Sequence, residues 1–489
     1  MKQFWILSAL LAVVPQLPGA EPQKYNVLFI MADDLRPELG CFGAPVKSPN
    51  IDALANRGTA FSRAYCQQAV CNPSRVSILS SRRLDTLQIY DLPTNLRKKH
   101  PNIVTLPQYF KEQGYYTERV GKIFHVGHGN TDDPTSWSAN RNWKQAPRFG
   151  PDGQKLLNKL VQDAMAKNPG VKRSDLKVRG LPYEAPDVAD DQLADGSIAT
   201  NAIKIMNEVQ DKPFFLAVGF LNPHLPFVAP KKYWDLYDPA SIELAKNPQA
   251  PEGAPKYAPH TSGELRAYHN IPAKGPLSDE QARHMIHGYR AAVSYMDAQV
   301  GRLLAELDRL KLRDKTIVVL LGDHGWFLGE HGMWCKHANY EEATRTPLII
   351  SIPGQKSAKS NALVEFVDIY PSLVEACGLP KRDDLEGTSF LPLVKNPTQP
   401  WKQAAFHLYP RQIPGQGAGM GRAIRTDQFR LVEWTARGKD FVEYELYDLK
   451  NDPGENKNLA KDPQFEKQLL ELRKLLHAGP TKWGVSKIQ

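Results

Sequence analysis

Cysteine is scarce in this chain: its 489 residues include five, which are Cys41, Cys66, Cys71, Cys335 and Cys377. Their scattered spacing does not match a structural zinc site. In an exported chain, an odd number leaves one thiol over if the other four pair, and a leftover cysteine is a candidate reactive group. The sequence leaves open how the cysteines other than Cys71 pair.

Long apolar runs are absent beyond the N-terminus. The segment MKQFWILSALLAVVPQLPGA has one lysine, an apolar run from Phe4 to Val14 and then Pro, Gly and Ala. This pattern predicts a signal peptide over 1–20 with cleavage after Ala20. A membrane anchor is the alternative, but the run is too short to span a bilayer comfortably. We therefore expect a periplasmic or secreted mature protein without a membrane span.

Basic runs interleaved with aromatic residues are missing as well, which argues against a nucleic-acid partner. The formal net charge is nevertheless +9, with a pI near 9.0. A modestly basic surface suits an acidic polymer such as a sulfated or carboxylated polysaccharide, although the same excess occurs without any such partner. Hydrophobic content of 42% and charged content of 24% are those of an ordinary globular protein.

Short apolar runs separated by amphipathic segments indicate the fold class. NVLFIMA (26–32), PFFLAVG (213–219) and TIVVLLG (316–322) predict buried strands. The clearest helical pattern places seven apolar side chains on one face over 293–310. Strands that alternate with such helices predict an α/β fold with a large, mostly parallel sheet covered by helices on both faces.

Three other regions differ from this pattern. Residues 128–190 are polar and 238–275 are rich in proline, so both are predicted to be long irregular loops that wall a substrate cleft. After about residue 400, short mixed runs precede an amphipathic tail over 465–476, which predicts a small antiparallel sheet with one helix. The predicted domains are therefore a main domain over 24–398 and a C-terminal α+β subdomain over 399–489.

Polar side chains follow the predicted strands where each strand ends. Asp33 and Asp34 follow the first, Asp323 and His324 follow the third, and the carboxyl ends of parallel strands meet at one edge of a sheet. Adjacent aspartates alone are often a turn or a helix cap. Three carboxylates with an imidazole predict a divalent cation site instead. Oxygen ligands favour calcium or magnesium, while the imidazole tilts the choice slightly toward manganese or zinc.

The stretch CNPSR (Cys71 to Arg75) opens a segment with helical character, and Pro73 suits its first turn. The exposed N–H groups of a helix N-terminus favour negative charge, and Arg75 adds a fixed positive fork. A lone cysteine is usually structural. Because an anion-binding helix start, an arginine and a predicted metal site come together here, we expect Cys71 to lie in a reaction centre.

The ordered blocks of this sequence resemble the formylglycine-dependent sulfatases, which belong to the alkaline phosphatase superfamily. The resemblance covers nearly the whole mature chain, and the iduronate-2-sulfatase type within the family is the most similar. It is carried by the signature CNPSRVSILSSR and by NVLFIMADDLRPELGCFG, SPNIDALANRGTAF, VGKIFH, NPHLPF, GDHGWFLGEHGMWCKH and LYDLKNDPGENKNLA. The resemblance implies an alkaline-phosphatase-like fold and a catalytic sulfatase domain over 24–398.

The resemblance also implies a site and a mechanism. A formylglycine-generating or maturase enzyme would oxidise Cys71 to an aldehyde, whose hydrate attacks the sulfur of a sulfate ester and later expels sulfate. One Ca²⁺ ion would be held by Asp33, Asp34, Cys71, Asp323 and His324. The remaining implied roles are Arg75 holding the hydrate, Lys122 and Lys336 binding sulfate, His125 as base, His224 as acid that also contacts substrate, and Trp326 as either a sugar platform or plain core.

We expect the enzyme to hydrolyse a sulfate ester of a sugar, such as a 2-O-sulfated uronate in a glycosaminoglycan or algal polysaccharide. Asp323-His324, in place of the more common Asp-Asn, fits the iduronate-2-sulfatase type, whereas His337 departs from its expected tyrosine. One alternative is a formylglycine-dependent phosphonate monoester hydrolase or phosphodiesterase of the same superfamily. A second is an inactive protein that only binds sulfated glycans and keeps an intact thiol.

Overall fold

A computed structural model describes residues 24–479. The predicted signal peptide, 1–20, lies outside the described residues. Within 24–479, no helix is long and apolar enough to cross a membrane. All five cysteines lie in this range and all are free thiols, so the structure contains no disulfide among them.

Seven strands form the large sheet of the main domain. They are β1 (Asn26–Asp33), β2 (Thr59–Tyr65), β3 (Tyr116–Gly121), β4 (Phe214–Pro223), β5 (Thr316–Gly322), β6 (Arg345–Ser351) and β7 (Ala358–Glu365), in the spatial order β7-β2-β6-β5-β1-β4-β3. Strands β5, β1, β4 and β3 run parallel to one another, while β6 is antiparallel to both of its neighbours. The sheet is therefore mostly parallel, as predicted.

Eight helices of seven or more residues occur in the described chain. They are α1 (Pro49–Ala55), α2 (Cys71–Ser80), α3 (Leu106–Glu112), α4 (Pro151–Lys167), α5 (Ala194–Val209), α6 (Asp279–Arg309), α7 (Ile369–Ala376) and α8 (Glu466–Ala478). Short helical turns occupy Gly40–Phe42, Leu84–Leu87, Leu96–Lys99, Pro134–Ser136, Arg173–Asp175, Asp190–Gln192, Lys231–Trp234, Pro239–Ser241, Gly263–Arg266, Arg313–Lys315, Glu330–Gly332, Glu341–Thr344, Phe366–Asp368, Leu391–Lys395 and Pro463–Phe465.

The central strand β1 is buried on both faces, which explains its unbroken apolar run. Its side chains at 27, 29 and 31 pack with α2, α3 and α7, whereas those at 28, 30 and 32 pack with α1, α5 and α6. Both layers exclude water from apolar side chains, at roughly 25 cal/mol for each Å² of apolar surface removed from water. The predicted sheet with helices on both faces is confirmed.

The C-terminal part forms a separate antiparallel sheet of four strands, β8 (Ala405–Ile413), β9 (Gly417–Arg425), β10 (Phe429–Ala436) and β11 (Val442–Asp448), in sequential order. Helix α8 packs on this sheet through Leu469 and Leu472. The predicted C-terminal sheet with one helix is therefore confirmed. The boundary at 398/399 stays a prediction.

The prediction of an irregular loop is wrong in part for one of the two stretches. Residues 128–190 contain the 17-residue helix α4, whose N-terminus places Pro151 in the first turn. The helix is mostly exposed, with Gly153 and Val161 buried, so its polar composition concealed its helical pattern. The proline-rich stretch 238–275 is largely irregular, as predicted, and has only short helical turns, among them Gly263–Arg266.

Candidate active site

Four strand ends deliver the predicted site residues to one edge of the sheet. Asp33 is the last residue of β1, and Asp323 follows β5 directly. His224 follows the end of β4, and Lys122 follows the end of β3. The Asp34 amide donates to Asp323 Oδ1 at 3.0 Å, which ties the ends of β1 and β5 together. This is the edge at which parallel α/β sheets bind ligands.

A glycine allows the close approach of β3 to β4 at this edge. Gly121 has a φ of 75°, and a Cβ there would come within 2.0 Å of the Gly219 carbonyl oxygen. A larger residue would push the strands apart, and Lys122 would move with its strand. The close packing of β3 against β4 therefore explains why the residue before Lys122 is glycine.

Helix α2 begins at Cys71, so that residue faces the carboxylates from the first turn. Its Sγ lies 3.5 Å from Asp33 Oδ1 and 3.5 Å from His324 Nε2. Arg75, one turn later, donates to Asp323 Oδ2 at 2.8 Å and to Asp33 Oδ1 at 3.1 Å. Arg75 is fully buried, and this paired geometry explains how a buried guanidinium is tolerated.

The thiol of Cys71 is a poor nucleophile as it stands. Burial, with Asp33 beside it, raises the pKa of Cys71 to about 12. A thiolate is the reactive form of cysteine, and its population at neutral pH is very small at such a pKa. A cysteine in this position suits a precursor of another group better than a thiol catalyst.

The donor atoms at this edge fit a divalent cation. One ligand atom from each of Asp33, Cys71, Asp323 and His324 can be chosen so that all lie within 4.8 Å of one another. Asp34 Oδ1 lies 3.5 Å from His324 Nε2, which extends the cluster. Carboxylate oxygens in this number are the donors that Ca²⁺ takes, so the residues present fit the predicted ion.

The two neighbouring aspartates differ in their electrostatics. Burial opposes ionisation of Asp33, but Lys122, His224 and Arg75 outweigh it and hold its pKa well below the ordinary value. Burial raises the pKa of Asp34 well above the ordinary value, although Lys336 opposes the rise. A buried carboxyl of this kind ionises readily only when a cation neutralises it, which is a further reason to expect a cation here.

Two lysines contact the adjacent aspartates of the site. Lys122 Nζ lies 2.5 Å from Asp33 Oδ2, and Lys336 Nζ lies 3.1 Å from Asp34 Oδ1. Although burial disfavours the charged form of both, the nearby carboxylates raise the pKa of each lysine. Both ammonium groups therefore stay charged at neutral pH and can bind anionic oxygens.

Trp326, which the sequence left as platform or core, is core. Its side chain is 0% exposed, and Lys336 Nζ lies 5.0 Å from its ring centroid. The ring also packs edge-on against Phe227. The ring therefore supports Lys336 from the core, and the predicted contact of Trp326 with substrate stays a prediction.

The sequence did not indicate Glu264, which comes from the proline-rich stretch. Its carboxylate lies 3.0 Å from His224 Nε2 and 2.9 Å from Lys336 Nζ. His224 Nδ1 donates to the Leu225 carbonyl at 2.6 Å, so Nε2 is the nitrogen that faces the site. Burial and Lys336 lower the pKa of His224 to about 4, and Glu264 opposes this change. The imidazole is therefore uncharged at neutral pH, and Glu264 offsets only part of the effect of burial.

His125 lies beside this cluster without touching residue 71. Its Nε2 contacts His128 Nδ1 at 3.1 Å, and its buried Nδ1 has no hydrogen-bond partner among the described residues. Burial and Lys122 lower the pKa of His125 to about 3, so the ring is neutral at physiological pH. A neutral imidazole can accept a proton, which is what a base requires.

The chain is similar to known sulfatases over most of its length. A family model described as Sulfatase matches residues 25–379, and one described as N-sulphoglucosamine sulphohydrolase, C-terminal, matches 329–481. The iduronate 2-sulfatase of Homo sapiens is 35% identical, and the alignment covers 90% of this chain and 92% of the human protein.

Solved structures share the fold at lower identity. The structure of BT4656 in complex with its substrate D-glucosamine-2-N,6-O-disulfate has a TM-score of 0.73 at 22% identity, covering 94% of this chain and 98% of that one. Phosphonate monoester hydrolase of Agrobacterium radiobacter has a TM-score of 0.71 at 23% identity, covering 93% and 95%. The predicted alkaline-phosphatase-like architecture is confirmed. The chain belongs to the sulfatase family and is an enzyme similar to iduronate 2-sulfatase.

Proposed function

We propose that this sulfatase removes sulfate from a sulfated sugar after Cys71 has been converted to formylglycine, with one Ca²⁺ ion bound. The observation that carries the proposal is the convergence of three carboxylates, one imidazole and two lysines around a single buried residue at the start of α2. Burying this many charged groups is costly even when they are paired, and a cation with an anionic substrate would use the carboxylates and lysines as ligands.

Formylglycine supplies, as its hydrate, two hydroxyl groups on one carbon, so that one attacks sulfur and the other later allows sulfate to leave. Arg75 would orient the hydrate, because its guanidinium is held by Asp33 and Asp323 within reach of residue 71. Ca²⁺, held by Asp33, Asp34, Asp323, His324 and residue 71, would offset negative charge on the sulfate group. A dedicated maturation enzyme would have to oxidise the cysteine.

The remaining side chains fit roles around the sulfate ester. Lys122 and Lys336 would bind its non-bridging oxygens as compact positive charges. His224, whose Nε2 lies 3.0 Å from Glu264, would serve as the acid for the departing alcohol only when it becomes protonated, and Glu264 favours that protonation against the effect of burial. His125 would accept a proton from the hydrate, since burial keeps its ring neutral.

The substrate class rests on relatives and on the surface charge. The human relative is named iduronate 2-sulfatase, and a structural neighbour was solved with a disulfated glucosamine. A net charge of +9 suits an acidic glycan. We therefore propose a 2-O-sulfated uronate of a glycosaminoglycan or algal polysaccharide as the substrate and, from the N-terminal segment, an exported enzyme.

A phosphonate monoester or phosphodiester is the second candidate substrate, because a phosphonate monoester hydrolase shares the fold over nearly the whole chain. Rates on a matched sulfate monoester and phosphonate monoester of the same alcohol distinguish the two. We expect kcat/KM to be at least about 100-fold higher for the sulfate. A reversed preference would replace the sulfatase proposal with the phosphonate one.

The first experiment is mass spectrometry of the tryptic peptide that contains residue 71, from protein made in its native host. We expect the mass of an aldehyde in place of the thiol, together with turnover of a sulfated sugar that Cys71→Ala abolishes. Calcium removal by a chelator should also abolish turnover, and calcium should restore it. An intact thiol in all molecules, with glycan binding but no turnover, would instead support the inactive binding protein.

A further inference from the structure

Two arginines from the stretch 128–190 lie beside His224 and Tyr268 and form no salt bridge with a carboxylate in the described chain. Arg148 Nη2 donates to the backbone carbonyls of His224 at 3.1 Å and Leu225 at 3.0 Å. Arg179 Nη1 donates to the Tyr268 hydroxyl at 3.2 Å, and its guanidinium lies 5.1 Å from the centroid of the Tyr268 ring. Both side chains are partly buried.

Two other arginines at the site, Arg36 and Arg75, have carboxylate partners in direct contact. Arg36 contacts Glu38, Glu330 and Glu342, all within 3.3 Å. Arg75 lies between two aspartates. Glu264 acts on Arg179, and Arg148 acts on Asp195, without a direct ion pair. A partly desolvated guanidinium with no carboxylate in contact gains from pairing with an anionic ligand.

Short contacts connect the two arginines to the reacting groups. Arg148 is bonded to the backbone of His224 itself. Arg179 rests on Tyr268, which follows the helical turn that carries Glu264. Burial raises the pKa of the Tyr268 phenol, and Arg179 and Arg148 both oppose that rise, so the two guanidinium groups act on the same hydroxyl. They therefore form one positive patch on the His224 side of the site.

Donor geometry favours an oxyanion as the ligand. In the described residues, Nε and Nη1 of Arg148, and Nε and Nη2 of Arg179, have no hydrogen-bond acceptor. A guanidinium fork with free N–H groups matches the two oxygens of a carboxylate or of a sulfate. Lys122 and Lys336 face the metal-binding aspartates instead, so this patch is separate from the groups proposed for the scissile sulfate.

We propose that Arg148 and Arg179 form a second anion-binding subsite, which binds another negatively charged group of the same sugar substrate. That group is a carboxylate or a second sulfate. This inference rests on the proposed sulfatase function, because it places the leaving alcohol near His224. It makes the enzyme selective for sugars that carry a negative charge beside the sulfate to be removed.

The test uses matched substrate pairs. One pair is a 2-O-sulfated uronate disaccharide and its carboxyl-reduced analogue; the other is a disulfated glucosamine and its monosulfated form. Arg148→Gln and Arg179→Gln should each lower kcat/KM for the charged member about tenfold more than for its partner, mainly through KM. Arg437→Gln, at an exposed arginine after β10, is the control and should show no such difference. The pair that responds identifies carboxylate or sulfate.

Equal losses on both members of each pair, or no loss, would overturn the subsite. Calorimetric binding of the same disaccharides to Cys71→Ala protein, with and without the arginine substitutions, tests the subsite independently of turnover. Absence of turnover in every substrate would reject the proposed function, while weaker binding of the charged sugar by the arginine variants would still support the subsite. Unchanged binding would reject it in either case.

Discussion

Two buried arginines each bridge two carboxylates, and they lie in different parts of the molecule. Arg75, in the active site, contacts Asp33 and Asp323. Arg430 of β10 contacts Glu455 and lies 2.6 Å from Glu341, which belongs to the main domain. Both guanidinium groups are 0% exposed.

The surroundings of the two clusters differ. The carboxylates around Arg75 also contact Cys71, Lys122 and His324. Their oxygens therefore point toward the groups proposed to bind metal and substrate. The carboxylates around Arg430 are satisfied by the protein: the Tyr65 hydroxyl donates to Glu341 at 2.9 Å, and the Glu341 amide donates to Glu455 at 2.7 Å. A buried ion cluster therefore indicates a functional site only when some of its carboxylates can also bind a ligand.

The largest effect is expected on catalysis, when Arg75 and Arg430 are each replaced. Arg75→Met should lower kcat/KM for a sulfated sugar by at least about 10⁴-fold, because Arg75 acts as a unit with residue 71 and the aspartates. Arg430→Met should leave kcat per folded molecule within about twofold, since no element of the site contacts it directly. Steady-state kinetics on protein corrected for its folded fraction measures both. Similar losses in the two variants would remove the distinction between the clusters.

The sequence predicted the first cluster but not the second. Asp33 and Asp323 were found because each directly ends an apolar run, and Arg75 because it stands four residues from Cys71. These are local signals. Arg430 lies inside an ordinary strand, and its partners at 341 and 455 are brought to it only by the packing of the C-terminal sheet on the main domain.

Dependence on contacts distant in sequence also explains why the sequence missed or left open other residues of the site. Glu264, Arg148 and Arg179 come from long loops, whose paths depend on contacts distant in sequence. Trp326 was ambiguous because its neighbours in sequence do not reveal that Phe227 and Lys336 cover it. Helix α4, outside the site, was missed for a different reason: Leu156, Leu157, Leu160 and Val161 recur at helical spacing, but the polar residues around them concealed the pattern.

The second prediction concerns stability. Arg430→Met should lower the free energy of unfolding by about 3–5 kcal/mol, because it leaves Glu341 and Glu455 buried without their shared cation. Arg437→Met, at an exposed position, should change it by less than about 0.5 kcal/mol. Urea denaturation of both variants at pH 8 provides the comparison. A loss below about 1 kcal/mol for Arg430→Met would mean that Arg425, 3.3 Å from Glu341, compensates.

The third and smallest predicted effect is a pH dependence of stability, which arises from the carboxylates that contact Arg430. Burial raises the pKa of Glu455 to about 7 from an ordinary 4.5, although Arg430 opposes the rise. The folded protein therefore keeps a proton that the unfolded chain releases between about pH 4.5 and 7, so stability falls as the pH rises through that window. The fall is at most about 3 kcal/mol, at 1.36 kcal/mol for each pKa unit. Glu341 acts in the opposite direction: burial opposes its ionisation, but Arg430 and Arg425 lower its pKa to about 2, so its contribution is lost only below pH 4.5.

Glu455→Gln should remove the part of the decline that Glu455 contributes between pH 5 and 7, because the amide does not titrate. The unfolding free energy of the variant should therefore rise relative to wild type across that window, since Asp195, Asp297 and the buried histidines titrate in both proteins. Glu471→Gln, at an exposed position on α8, should keep the wild-type slope. Urea unfolding of the variants and the wild type is measured at intervals from pH 5 to 8 with calcium held in excess, and the difference between variant and wild type isolates the contribution of Glu455. If the unfolding free energies of the Glu455 variant and the wild type change equally with pH, Glu455 is ionised throughout. Arg430 then neutralises both of its carboxylates as fully as Arg75 neutralises its aspartates.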